Sequence, residues 1–429
     1  MIAIPPGPRP PAASGGGRPP IPLEEELLAF RQFGEPTRRR STRIVPEGRA
    51  PLEVPTYENA FWTARQRAAS RLHEVPYRAC FKPALPRFFI DRLTAPGEIV
   101  YDPFMGRGTT LLESALAGRI PWGCDLNPLG AVLLEPRLAP PRPDRIAARL
   151  GALDLRYDGD LRPDLLVFYH PDTLRGLEAL RRYFAGRQQD GTLDDVDRWI
   201  RMVAVTRLTG HSPGFLSVYT LPPNQAVGPE AQRRINAARG QVPPRREIVP
   251  ILRRKSRALL AGLTEEERRR LAEAAAAARL ITGNSERTPA LPSESVRLVV
   301  TSPPFLNVVD YVGDNWLRSW FCGIDLRREP LTVPRRLRPW KAAMVRTFSE
   351  LRRLLLPGGH VAFEVGEVLG GRLALETPVG EAAAAAGLRI RLILIHDQEF
   401  TKTAHCWGVA NRRLGTNTHR IVLLEKPAA

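Results

Sequence analysis

At 429 residues, with 43% hydrophobic and 25% charged, the chain has the balance of an ordinary globular protein, large enough for two or three domains or one α/β domain with a big insertion. No apolar run approaches the roughly 20 residues that span a bilayer, and the N-terminus has no signal-peptide apolar core, so a cytoplasmic location and no membrane contact are expected. The 63 Lys and Arg outnumber the 45 Asp and Glu, leaving a net charge of +18 that is mostly arginine; this fits a nucleic-acid partner and equally the arginine bias of a GC-rich genome.

Residues 1–22 are too rich in Pro and Gly to bury anything and read as a disordered tail, followed by an Arg-rich extension over 23–75. From GEIVYD at 97 onward, short apolar runs alternate with helical patterns, the signature of a parallel sheet with crossover helices. Strands are expected at 97–102, 120–125, 279–282, 296–301, 359–365, 388–396 and 419–425. Helices are expected at 109–118, 338–356 and 375–387, which together give a doubly wound, Rossmann-like α/β sheet of seven strands. Residues 131–278 read as an inserted, mainly helical subdomain with basic loops. Cys80, Cys124, Cys322 and Cys406 are scattered, without a C-x-x-C pair or zinc-finger spacing, so they are expected to be reduced structural thiols and no metal site is expected.

The stretch GEIVYDPFMGRGTTLLESALAGRIPWGCDLNP, residues 97–128, places Gly106 and Gly108 between a strand ending at Asp102 and a helix starting at Thr109. Glycines at such a bend let the backbone approach a ligand, and the helix start offers free N–H groups. The next strand ends in Asp125, whose carboxylate can take both hydroxyls of a ribose. A dinucleotide fingerprint is not met, because the position three after Gly108 is Leu111. A nucleoside-bearing cofactor is the reading these residues support, against a tight turn that binds nothing.

In VVTSPPFLNVVDY, residues 299–311, a β-branched run meets Pro303 and Pro304, which cannot donate to a sheet ladder, so the strand stops there in a stiff turn. The pair DPFMGRGTT and TSPPF resembles the two signatures of S-adenosylmethionine-dependent amino-methyltransferases, most closely those that methylate the exocyclic N4 of cytosine in DNA. The resemblance covers roughly 75–130 and 279–429, with a weaker echo in SVYTLPPNQAV, and implies a cofactor-binding half (76–130) and a catalytic half (279–429), with an antiparallel last strand.

It further implies that Ser302 and Pro303 hold the target amine, with Pro304 stiffening the turn and Phe305 stacking on a flipped base. Asp102, Gly106 and Gly108 would cradle the methionine half of S-adenosylmethionine, with Phe81, Lys82 and Pro83 near its tail and Pro103, Phe104, Thr109 and Thr110 in the same cofactor site. Asp125 would serve the ribose and Asn284 the adenine, Asn127 also belongs to the cofactor site, and Arg107 replaces the family's usual small residue. The implied partners are double-stranded DNA, read through the insertion 131–278, and a cognate restriction endonuclease. Tyr311 and Trp316 stand just past the turn, either beside the base or in the core. The alternatives are an adenine-N6 DNA enzyme, a transfer-RNA guanine-N2 enzyme, and a non-catalytic nucleic-acid-binding protein.

Overall fold

The structure, a computed structural model, describes residues 22–32, 35–62, 69–78, 80–221, 226–304, 310–325, 336–368, 373–397 and 418–428. The expected tail therefore lies, but for Pro22, outside the described residues, as do Phe305 and Cys406. Among the described residues nine strands form the main sheet: β1 (Arg38–Ile44), β2 (Leu52–Asn59), β3 (Ile99–Asp102), β4 (Ile120–Asp125), β5 (Arg279–Thr282), β6 (Val296–Thr301), β7 (Leu355–Val365), β8 (Arg389–Asp397) and β9 (Thr418–Glu425). Their spatial order is β1-β2-β8-β9-β7-β6-β3-β4-β5. The five strands from β7 to β5 run parallel, whereas β9 is antiparallel to both β7 and β8.

The expected count of seven strands is thus corrected to nine. The two additions are a hairpin built by the Arg-rich extension, in which β1 pairs antiparallel with β2 and β2 joins β8 in parallel. β1, RRRSTRI, is exposed along most of its length and buries only Ile44, so it shows none of the alternation that marks a half-buried strand. β2 contains Pro55, which sits opposite Ser41 and just before the β8 ladder begins at Thr56, so its missing N–H costs no bond to β8.

Helices α1 (Leu23–Ala29) and α2 (Ala84–Leu93) cover one sheet face, packing Phe88, Phe89 and Ile90 on Val100, Leu298 and Val300. After α3 (Thr109–Leu116) come α4 (Leu129–Leu138), α5 (Pro143–Ala152), α6 (Pro171–Gln189), α7 (Asp195–Val205), α8 (Pro229–Arg239), α9 (Ile248–Leu260) and α10 (Glu265–Ala277). Capping boxes start α7 at Asp194 and α10 at Thr264. Apart from α8, these helices bury their apolar stripes in one continuous core with Leu111 and Leu112 of α3 and with Leu317 and Phe321 of α11 (Tyr311–Cys322). The other sheet face is covered by α12 (Leu337–Leu354) and α13 (Glu376–Ala385), through Phe348, Leu351 and Val379. Among the described residues no helix is long and apolar enough to cross a membrane.

Candidate active site

Parallel strands β3, β4 and β6 end side by side, and the chain turns after each toward the same edge of the sheet, where ligands bind in doubly wound folds. After β3, Gly106 (φ +48°) and Gly108 (φ +75°) take left-handed backbone. A Cβ on Gly108 would lie 2.6 Å from Leu134, so only glycine fits there and α3 can start close against α4.

Two ties lock this turn to the end of β6. Thr301 Oγ1 donates to Asp102 Oδ1 at 2.6 Å, and Thr110 Oγ1 donates to the Val300 carbonyl at 3.0 Å. Asp102, 2% exposed, also accepts from the Phe104 N–H at 3.0 Å. Burial pushes its carboxyl up to about 7, against the hydrogen bonds from Thr301, Phe104 and Thr110. Ser302, the residue after Thr301, is therefore fixed relative to the glycine turn.

Asp125, at the end of β4, accepts from the Gly106 N–H at 2.7 Å and the Asn127 N–H at 2.8 Å. Burial raises its pKa and these two backbone bonds oppose the rise. Asn127 is 3% exposed; its side-chain Oδ1 accepts from the Leu129 N–H at 3.0 Å, and its Nδ2 has no partner among the described residues. An open cleft joins both turns: Gly106, Asp125 and Asn127 line it from one side, and Ser302, Pro303 and Pro304 from the other. Pro103, Phe104, Leu126, Gly283, Ser285, Tyr77 and Tyr311 complete the wall. The Pro304 carbonyl accepts from buried Trp340 Nε1 at 3.4 Å, which pins the turn from behind. Neither the Ser302 hydroxyl nor the Pro303 carbonyl has a hydrogen-bond partner among the described residues.

Several residues singled out in the sequence lie behind this wall. Asp102, Gly108, Thr109 and Thr110 hold the turn from beneath. Phe81 is packed in the core with Phe88, buried Pro83 caps α2, and half-buried Lys82, its ammonium pKa lowered by burial, is likewise outside the lining. Asn284 is exposed, its side chain folded back to accept from the Glu286 N–H at 2.9 Å; its neighbours Gly283 and Ser285 line the cleft instead. Trp316 belongs to the core, packed on Phe168 with its Nε1 donating to the Val227 carbonyl.

Sequence reading missed Tyr77, an isolated aromatic with no periodicity to reveal it. Arg107 helps to place Tyr77, together with Arg318, which donates to the Pro76 carbonyl. The Arg107 guanidinium, 6% exposed, donates to the carbonyls of His73 (3.0 Å) and Val75 (2.8 Å) and to Thr109 Oγ1 (3.1 Å). Arg137, wholly buried, donates to the carbonyls of Arg107 and Leu72, while His73 Nε2 meets Glu113 Oε1 at 2.6 Å. Burial and the Arg107 charge bring the Arg137 pKa down to about 9. The segment 71–77 is thus stapled to the glycine turn, with the Tyr77 ring over Gly106.

S-adenosylmethionine fits this cleft: the unpartnered Asn127 amide, the carboxylate of Asp125 and the bare backbone of Gly106 supply donor, acceptor and close approach for a ribose and its neighbours. Residues 31–129 match a family described as DNA methylase, of the N6/N4 amino-methyltransferase type. The chain is 38% identical over 63 residues to the type II methyltransferase M.MjaII of Methanocaldococcus jannaschii, covering 15% of this chain and 12% of that one. It is 31% identical over 97 residues to the type II methyltransferase M.MvaI of Kocuria varians, covering 22% and 20%. The chain thus spans a fifth or less of the length of these curated relatives. Among solved structures, TrmN from Thermus thermophilus matches 83% of this chain and 51% of its own at 14% identity, with a TM-score of 0.31. The likeness to DNA methylases thus rests on residues 31–129 and on the short stretches shared with the two type II relatives.

Proposed function

We propose that the chain transfers a methyl group from S-adenosylmethionine to the exocyclic N4 amine of cytosine in duplex DNA, after the base is flipped into the cleft. The observation that carries this reading is the joining of Gly106, Asp125 and Asn127 with Ser302, Pro303 and Pro304 in one cleft. The Ser-Pro-Pro turn is the reason for choosing cytosine N4 over adenine N6, following the resemblance of TSPPF.

An aromatic amine is a poor nucleophile because its lone pair is delocalised into the ring. S-adenosylmethionine, when bound, supplies an electrophilic methyl carbon on a sulfonium. The chain's part is to make the amine react. Ser302 Oγ and the Pro303 carbonyl, unpartnered among the described residues, each accept one amine hydrogen, which favours the pyramidal amine whose lone pair points into the cleft. The Thr301–Asp102 and Thr110–Val300 ties hold these acceptors at a fixed separation from the glycine turn, so little reorganisation is left to the reaction itself. Tyr311, at the mouth, offers an aromatic wall for the extruded base. Recognition of the target sequence falls to the helical segment 131–278, and the type II relatives carry the further proposal of an accompanying endonuclease.

Replacing Ser302 by Ala should lower turnover about a hundredfold or more, by the scale of losing one preorganised polar group, with cofactor affinity retained. Transfer of tritiated methyl to duplex DNA measures this; unchanged turnover would remove Ser302 from the chemistry.

A further inference from the structure

Beside the cleft, three cations converge where the helical segment meets the stapled segment 71–77. Arg207 follows α7, and its ring neighbour is Phe215, 4.1 Å from the guanidinium carbon. Its Nε donates to the Thr206 carbonyl, and its two terminal nitrogens have no partner among the described residues. α9 supplies Arg254 and Lys255 from the sequence IVPILRRKSRALL, which contains no acidic residue. Arg254 is exposed and makes no ion pair among the described residues. It reaches the loop His211-Ser-Pro-Gly214: a methyl group built on Gly214 would lie 3.7 Å from Arg254 Nη2 and 3.6 Å from the Ser212 hydroxyl. Lys255 meets Glu74 at 3.3 Å, a carboxylate that is itself 56% exposed.

Among the described residues Glu74 is the acid that acts on Arg207 and Lys255, while Arg254 and buried Arg318 add like charge beside Arg207. Burial, Arg318 and Arg254 together push the Arg207 pKa down to about 10, with Glu74 opposing. A half-buried guanidinium with unfilled donors and like-charged neighbours is costly unless an anion completes it. The position suits a particular anion. Glu74 lies three residues before Tyr77, which lines the cleft, and three residues of extended chain reach at most about 10 Å. The cations therefore stand within short reach of the cleft, where a phosphate next to an extruded nucleotide can meet them.

We propose that Arg207, Arg254 and Lys255 form a phosphate site for the DNA strand whose base enters the cleft, gripping the backbone beside the flipped nucleotide. This rests on the function proposed above. Each lost phosphate contact lowers the slope of log K against log salt by about 0.9 on duplex DNA.

The test is duplex binding by fluorescence anisotropy over a salt series, with the full chain, Arg254→Ala, Arg254→Lys and Arg207→Gln. Arg254→Ala should cut the slope by about 0.9 on any sequence, Arg254→Lys should restore it, and S-adenosylmethionine affinity by calorimetry should hold in both. Arg254 is exposed, so its variants keep the test intact if Arg207→Gln fails to fold. An unchanged slope in Arg254→Ala, with wild type bound, overturns the site. Wild type that binds with this slope change but transfers no methyl leaves the site standing and removes the proposed chemistry. A slope change with duplex RNA alone overturns the assignment to DNA, and no duplex binding by wild type removes both readings.

Discussion

Asp102 and Arg107 sit beneath the cleft. Asp102 spends its carboxylate on Thr301 and on the Phe104 N–H, so it sets the distance between the two turns. Its folded pKa of about 7 lies above its ordinary value near 3.8, so the folded chain binds the extra proton between those limits. Its contribution therefore favours the fold below about pH 4 and is lost as pH rises to about 7, at no more than about 1.4 kcal/mol per unit. Asp102→Asn, which keeps an acceptor and no charge, should show a melting temperature that gains on wild type from pH 4 to 7 and runs parallel above 7. Parallel melting temperatures across the whole range would show that Asp102 is not protonated in the fold. Arg107 acts through the carbonyls of His73 and Val75. Arg107→Met should cost about 1–3 kcal/mol for each buried carbonyl left unpaired, and should weaken S-adenosylmethionine binding as Tyr77 loses its seat. Urea denaturation with calorimetry separates the two effects; full affinity in a destabilised variant would show that Tyr77 is held by other contacts.

At the scale of elements, the parallel strands could be read directly because each is a short β-branched or aliphatic run ending at a turn signal, as VRLVVT before Ser302 is. The glycine turn was equally legible, since two glycines between a strand and a helix have few structural uses. The hairpin was not. β1 hides because its charged residues face solvent on an edge strand, where charge protects against edge-to-edge pairing and erases the period-two pattern. Ile44 alone reveals its inner face, wholly buried and packed where a Cβ on Gly380 of α13 would come within 2.5 Å. Ile44→Ala should cost about 2–5 kcal/mol in urea denaturation. Since three strands separate this hairpin from β6, the variant's methyl-transfer rate per folded molecule should match wild type. Asn284 shows the other limit of sequence: the strand end was identified, but the backbone turn that sends Asn284 outward and Ser285 inward depends on an Asx bond to Glu286 that no pattern announces.

For the whole molecule, the excess of arginine is not spread evenly as a coat. Much of it is spent internally, as where Arg149 and Arg187 converge on buried Asp197, or on exposed pairs such as Arg269 with Glu266 and Glu273. Exposed pairs of that kind add little stability. What distinguishes the face beside the cleft is cation without matching acid, next to a helical segment that shares its core with α3 and α11 and so is built onto the cofactor half of the sheet. The central claim is that this arrangement delivers one exocyclic amine to Ser302 and Pro303. Its most direct test is to incubate the full chain with duplex DNA and isotopically labelled S-adenosylmethionine, digest the DNA to nucleosides, and identify the labelled product by mass spectrometry. The label should appear as N4-methyldeoxycytidine; label on adenine N6, or none on DNA, would contradict the account.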